Sequence, residues 1–233
     1  ANFLNEIGVT AFKIGSGEAD NLPLIDHIAK FGKPIIMSTG MHSINSLTHS
    51  VSIIEKYGVD YALLECTSAY PAPPATVRLS AISELKQRFP KATVGFSDHS
   101  VGTTMSIAAS ALGAKIIEKH FTETRYRSGP DIVCSMDPAE LRFLIDRTQE
   151  VHEALQSKKE QLFIEKNVYH FARSSVVADR NIAKGQKIKE EDIWARRPGN
   201  GEIAGYNYSK VLGKTAKVDI PKNRQLCWSD LSQ

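Results

Sequence analysis

The sequence predicts an α/β protein in which a run of parallel β/α units precedes a small β-rich module. Three observations predict it. Five short apolar segments, at 10–14, 34–38, 61–66, 93–97 and 115–120, recur at the spacing of a β/α unit. Helix-like stretches with start and stop residues lie between them. Polar residues then gather just past the carboxyl ends of all five segments: Lys13 and Ser16, Ser38 and Thr39, Thr67 and Ser68, Ser97 to His99, and His120. The last point favours a closed (β/α)8 TIM barrel over an open sheet, because barrel enzymes build their sites on that edge. Gly15-Ser16-Gly17 is only a fragment of a dinucleotide-binding fingerprint. Five units are too few for eight strands, so the chain reads as the last five units of a barrel with about three absent.

The elements follow in order. Residues 45–57 form a helix stopped by Gly58. Thr76 is expected to cap a helix running to Phe89, which Pro90 ends, and Ser100 to cap one ending at Gly113. Asp137-Pro138-Ala139-Glu140 reads as an N-cap, an N1 proline and an N3 glutamate opening a long helix with Leu141, Leu144, Ile145, Val151 and Leu155 at near-helical spacing. These assign residues 1–156 to the barrel part and the polar stretch 157–172 to a linker. From Arg173 the texture changes to short strands and turns: 175–178, a turn at 183–186, one helical turn at 190–193, then 211–214, 216–220 and 221–223. Residues 173–233 therefore read as a compact β-rich domain.

Composition narrows the function. With 42% hydrophobic and 24% charged residues the chain is globular, and no apolar run approaches the roughly 20 residues of a membrane span. Residues 1–6 lack the basic flank and apolar stretch of a signal peptide. Cys66, Cys134 and Cys227 are odd in number and match no zinc spacing, which suits a reducing cytoplasm. Residues 173–233 carry 12 Lys and Arg against 7 Asp and Glu, a net of +5, whereas residues 1–172 carry 17 against 19. These basic residues are spread among apolar ones without recurring stacking aromatics, so the expected partner is a small anion and not a nucleic acid.

Strand alternation then selects the chemistry. Thr93, Gly95, Ser97 and His99 share one face and Val94 and Phe96 the other; Ile116, Glu118 and His120 share a face of the next strand. His99 and His120 thus end successive strands and point into one mouth. Two imidazoles there could hold a metal ion and leave positions open for substrate; each taken alone reads more readily as a hydrogen-bonded structural histidine. Lys13 and Ser16, on a glycine-rich strand end, offer a charge and a hydroxyl to a phosphate or carboxylate, with Ser38 and Ser97 as further donors; a mouth salt bridge is the alternative for Lys13. Asp131, after the last strand, could accept sugar hydroxyls or make a local turn.

With these residues in hand, the chain resembles the sialic acid synthase family, which includes the N-acetylneuraminate, legionaminate and pseudaminate synthases. Matching segments run in order through nearly the whole chain: FKIGSGE (12–18), IMSTGM (36–41), CTSAYP (66–71), GFSDHS (95–100), EKHFT (118–122), GPD (129–131) and RRPGNG (196–201). The final domain resembles the antifreeze-like (SAF) domain of that family. The resemblance implies a transferase that condenses phosphoenolpyruvate (PEP) with N-acetylmannosamine and water and releases phosphate, or, as the alternative, a legionaminate or pseudaminate synthase using a diacetamido hexose. It implies PEP contacts at Lys13, Ser16, Ser38 and Ser97, with Ser68 standing where some members have asparagine. It implies His99 and His120 as catalytic metal ligands for Mn2+ or Mg2+, and Tyr70 and Asp131 as sugar contacts. Arg197 is implied to reach the N-acetyl group in a partner's barrel, within a domain-swapped homodimer. The family's proposed catalytic glutamate and another PEP-binding lysine belong to the absent strands, so the chain alone is expected to be inactive.

Two other classes compete. A Schiff-base aldolase would use Lys13 or Lys119 as nucleophile, although alternation turns Lys119 away from Glu118 and His120. A non-enzymatic antifreeze-like binding module would need a flat, weakly charged surface, which the lysines and arginines of 173–233 oppose.

Overall fold

The computed structural model describes residues 1–232 and contains two compact units, 1–157 and 158–233. In the first, strands β1 (Phe12–Ile14), β2 (Ile35–Ser38), β3 (Tyr61–Cys66), β4 (Thr93–Asp98) and β5 (Ile117–Lys119) form one parallel sheet in sequential order. Sequential order matters. A doubly wound sheet reverses its strand order at a switch point and carries helices on both faces, whereas a barrel winds in one direction.

The helices are α1 (Asn2–Glu6), α2 (Leu22–Ala29), α3 (Ile44–Lys56), α4 (Ala81–Arg88), α5 (Thr104–Ala111) and α6 (Pro138–Ala154). Strand alternation sends Phe12, Ile14, Ile35, Met37, Tyr61, Leu63, Val94 and Phe96 into one core with Ile25, Ile28, Leu47, Val51, Ile54, Ile82 and Leu85 of the helices. Burying each such side chain is worth about 1.5–3 kcal/mol, which is what fixes the register. The register aligns Cys66 with Ser97 and Ser97 with Glu118 across three strands. The face opposite the core is therefore the one that carries the polar residues.

Two caps differ from expectation. Thr76 lies in a 3-10 turn, Pro74–Thr76, and its hydroxyl donates to the Pro73 carbonyl at 2.8 Å, so α4 starts later, at Ala81. Ser100 does not cap α5. Its amide donates to Asp98 Oδ1 at 2.8 Å, its hydroxyl is buried without a hydrogen-bond partner, and α5 begins at Thr104. At α6 the expected capping box is present: Asp137 Oδ1 accepts from the Glu140 amide at 2.9 Å and Glu140 Oε2 from the Asp137 amide at 3.3 Å.

In the second unit, helix α7 (Lys166–Ala172) precedes the antiparallel pair β6 (Ser175–Ala178) and β7 (Ile193–Arg196). Strand β7 was unforeseen, because the acidic run 190–192 reads as a helical turn and conceals the strand that follows. Helix α8 (Tyr208–Val211) was likewise unforeseen. The expected strand at 216–220 appears only as isolated bridges, Ile182 to Ile220 and Ala216 to Leu231. A separate core of Val176, Ile182, Ile188, Ile193, Ile203, Val211, Ile220 and Leu226 holds this unit together.

Candidate active site at the carboxyl edge of the sheet

An open cavity of about 720 Å³ lies where the five strands end. Its wall includes Lys13, Ser16, Ser38, Ser68, Ser97, Tyr70, His99 and His120, eight of the ten residues singled out in the sequence.

One end of the cavity is organised around Lys13. Its ammonium donates to Ser38 Oγ at 2.8 Å and to the Ile14 carbonyl at 3.1 Å, and lies 3.4 Å from Glu118 Oε2. Ser38 Oγ also donates to Glu118 at 3.3 Å. Glu118 was not singled out as a site residue, although its place on the His120 face of β5 was legible; it is the only carboxylate among the described residues of the cavity wall. Ser16 Oγ accepts from the Gly40 amide at 2.9 Å. A Cβ on Gly40 would come within 2.3 Å of Ser68 Oγ and 2.9 Å of Ser16 Oγ, so only glycine lets these two hydroxyls close over the turn.

The histidine end is equally ordered. The His99 and His120 ring centres are 5.2 Å apart, and Tyr70 lies 4.1 Å from the first and 5.7 Å from the second. His99 Nδ1 is 2.9 Å from the Thr67 carbonyl, which can only accept; Nδ1 therefore carries a proton, and in the neutral ring Nε2 has the lone pair. The Ala72 amide donates to the His99 carbonyl at 2.9 Å, tying the loop that carries Tyr70 to the end of β4. Burial works against the charged form of His99, but Cys66 Sγ, 3.7 Å away, and the Thr67 carbonyl outweigh it and raise the imidazole pKa. Burial likewise pushes the Cys66 thiol up, and hydrogen bonds with His99, Ser16 and Ser97 bring it below its usual value. Burial raises the Tyr70 phenol, leaving it a protonated donor.

Asp131 stands beside His120, its carboxylate 3.6 Å from Nδ1. That is too long for a hydrogen bond, and both side chains stay partly exposed. The donor set fits a divalent ion: two imidazoles with outward nitrogens, at adjacent strand ends, in a polar cavity. Among the described residues no group of three or more His, Cys, Asp or Glu converges on a metal position, and the two imidazoles are the groups of the cavity wall that would hold the ion. Lys119 borders the cavity, but its ammonium is buried against Asp98 at 3.1 Å, which disfavours it as a Schiff-base nucleophile. Arg197 belongs to the second unit, where it is exposed after β7.

The sequence pattern of the NeuB family matches residues 1–160, and that of the SAF domain matches 173–232. The chain belongs to the NeuB family. It is 41% identical over 220 residues to the N,N'-diacetyllegionaminic acid synthase of Campylobacter jejuni, covering 92% of this chain and 65% of that protein. It is 38% identical over 225 residues to the human N-acetylneuraminate-9-phosphate synthase, covering 95% of this chain and 62% of that one. Among solved structures, the N-acetylneuraminic acid synthetase of Leptospira borgpetersenii matches with a TM-score of 0.68 and 37% identity over 72% of this chain and 59% of that one. This NeuB chain thus spans about two thirds of the length of such relatives. Its three cysteines are free, and no helix among the described residues is long and apolar enough to cross a membrane.

Proposed function

We propose that this chain carries the anion-binding and metal-binding part of an enzyme that condenses PEP with N-acetylmannosamine and water, releasing phosphate and a nine-carbon acid. The observation that carries the reading is the convergence of Lys13, four serine hydroxyls and two outward-facing imidazoles on one cavity at the carboxyl edge of a parallel sheet.

In this reading Lys13, with the hydroxyls of Ser16, Ser38, Ser68 and Ser97, binds the phosphate and carboxylate of PEP. Holding two substrates in register is worth about 7–11 kcal/mol, so positioning is the main contribution of these residues. His99 and His120 would hold Mn2+ or Mg2+, which would supply Lewis-acid polarisation of the sugar's aldehyde oxygen. Carbon 3 of PEP attacks the aldehyde carbon, water adds at carbon 2, and phosphate leaves with cleavage of the carbon–oxygen bond. Among the described residues of the cavity wall, Glu118 is the carboxylate able to take the proton of that water, and its pairing with Lys13 keeps both side chains turned into the cavity. Tyr70 and Asp131 contact the sugar. Arg197 reaches its N-acetyl group from the SAF domain of a partner in a domain-swapped homodimer.

A second reading keeps the chemistry and changes the sugar. Similarity to a legionaminic acid synthase favours a diacetamido hexose as the acceptor. Phosphate release from PEP by the metal-stripped protein carrying its complete barrel, with and without added manganese and with each sugar in turn, separates the two readings. Release that needs neither sugar nor metal would sink both.

A further inference from the structure

Behind the histidine pair lies a buried ion pair with no place in the chemistry above. Asp98 ends β4 and Lys119 ends β5; they are direct register partners, and their side chains are 0% and 1% exposed. Every polar atom of the pair is satisfied. Lys119 Nζ lies 3.1 Å from Asp98 Oδ2 and donates to the Ser100 carbonyl at 2.6 Å. Ser106 Oγ of α5 donates to Asp98 Oδ2 at 2.6 Å, and the Ser100 amide to Asp98 Oδ1 at 2.8 Å. Alternation turns these side chains to the helix side, so the next residue on each strand, His99 and His120, turns into the cavity.

We infer that the Asp98–Lys119 pair is a positioning device, clamping the ends of β4 and β5 so that the two imidazoles keep the separation a shared metal ion requires. The inference rests on the metal-binding reading of His99 and His120. A buried ion pair is a poor device for stability alone, because apolar residues of similar size commonly serve as well or better. Its gain is directional: a salt bridge with three further hydrogen bonds admits one geometry, whereas an apolar contact tolerates sliding. The network ties together four pieces: β4, β5, the turn after His99 and α5. A shift in any of them moves an imidazole.

The test is the double variant D98L/K119M, which leaves net charge unchanged and so separates geometry from long-range electrostatics. Cobalt(II) is titrated into the metal-stripped protein and followed by its visible d–d absorption, with circular dichroism and denaturation as checks of folding. The expected result is a folded double variant that binds cobalt about 10–100-fold more weakly, with displaced bands. A folded double variant with the affinity and spectrum of the unaltered protein overturns the clamp. If the double variant does not fold, S106A, which removes one support of Asp98, decides in the same way: displaced bands sustain the clamp and an unchanged spectrum overturns it. Absence of cobalt binding in the unaltered protein overturns the metal reading and the clamp with it, an outcome distinct from the other two.

Discussion

Gly95→Ala adds one methyl group to the middle of β4, and the structure indicates what that costs. The new Cβ would lie 2.4 Å from Leu64 Cδ2, 2.5 Å from the Ile116 carbonyl oxygen and 3.0 Å from Ile116 Cβ. The leucine can rotate, but the carbonyl is backbone and accepts the Phe96 amide at 2.8 Å. Ordinary contact begins at 3.4 Å, so this strand edge must withdraw by about 0.9 Å, straining the hydrogen bond that joins it to β4. Overpacking typically costs about 1–3 kcal/mol, and a weakened hydrogen bond about 1 kcal/mol more. A destabilisation of about 2–4 kcal/mol is expected, read as a lower urea midpoint by far-UV circular dichroism. Trp194 and Trp228 both lie in the second unit, so their fluorescence follows that unit separately. Gly15→Ala is the control: its Cβ meets nothing within 4 Å and its φ of −71° suits any residue, so it should be neutral or slightly stabilising. A Gly95→Ala protein as stable as the control would refute the reasoning.

Three further outcomes are expected. In the protein carrying its complete barrel, Lys13→Met removes charge-assisted contacts worth about 1.5–3 kcal/mol, so KM for PEP should rise about 10–100-fold; an unchanged KM would remove Lys13 from the anion site. Asp137→Ala opens the α6 capping box and should cost about 1 kcal/mol in denaturation, with no loss if the box is idle. Glu65 is 5% exposed, and burial raises its pKa above the usual 4.5 against the opposing pull of Arg78. With the folded pKa above the unfolded one, the folded state binds the proton more tightly, so stability falls as pH rises from about 4.5 through the raised value. Glu65→Gln should therefore be more favourable relative to the unaltered protein at pH 7 than at pH 4; the opposite trend in denaturation midpoints would show that Arg78 dominates.

The strands were legible because burial on one face and chemistry on the other gave each a pattern of period two, most clearly Thr93–Asp98. The same alternation brought His99 and His120 to one mouth and turned Lys119 away. Glu118 escaped because a carboxylate on a strand face carries no local signal of its counter-ion, and Lys13 is 105 positions earlier in the chain. The caps at Thr76 and Ser100 misled because the Thr76 hydroxyl and the Ser100 amide had nearer partners in Pro73 and Asp98. In the second unit, pairing by isolated bridges leaves runs too short for alternation to register.

The guanidinium of Arg173 lies 4.5 Å from the ring of Tyr169 on α7 and 5.3 Å from that of Tyr206, and the Gly199 amide donates to the His170 carbonyl at 2.9 Å. An expression boundary drawn at residue 173, where the SAF pattern begins, would discard half of that aromatic sandwich and leave the loop at Gly199 without its anchor. A portable version of this domain therefore needs its leading helix, and grafting experiments should begin the insert at Lys158.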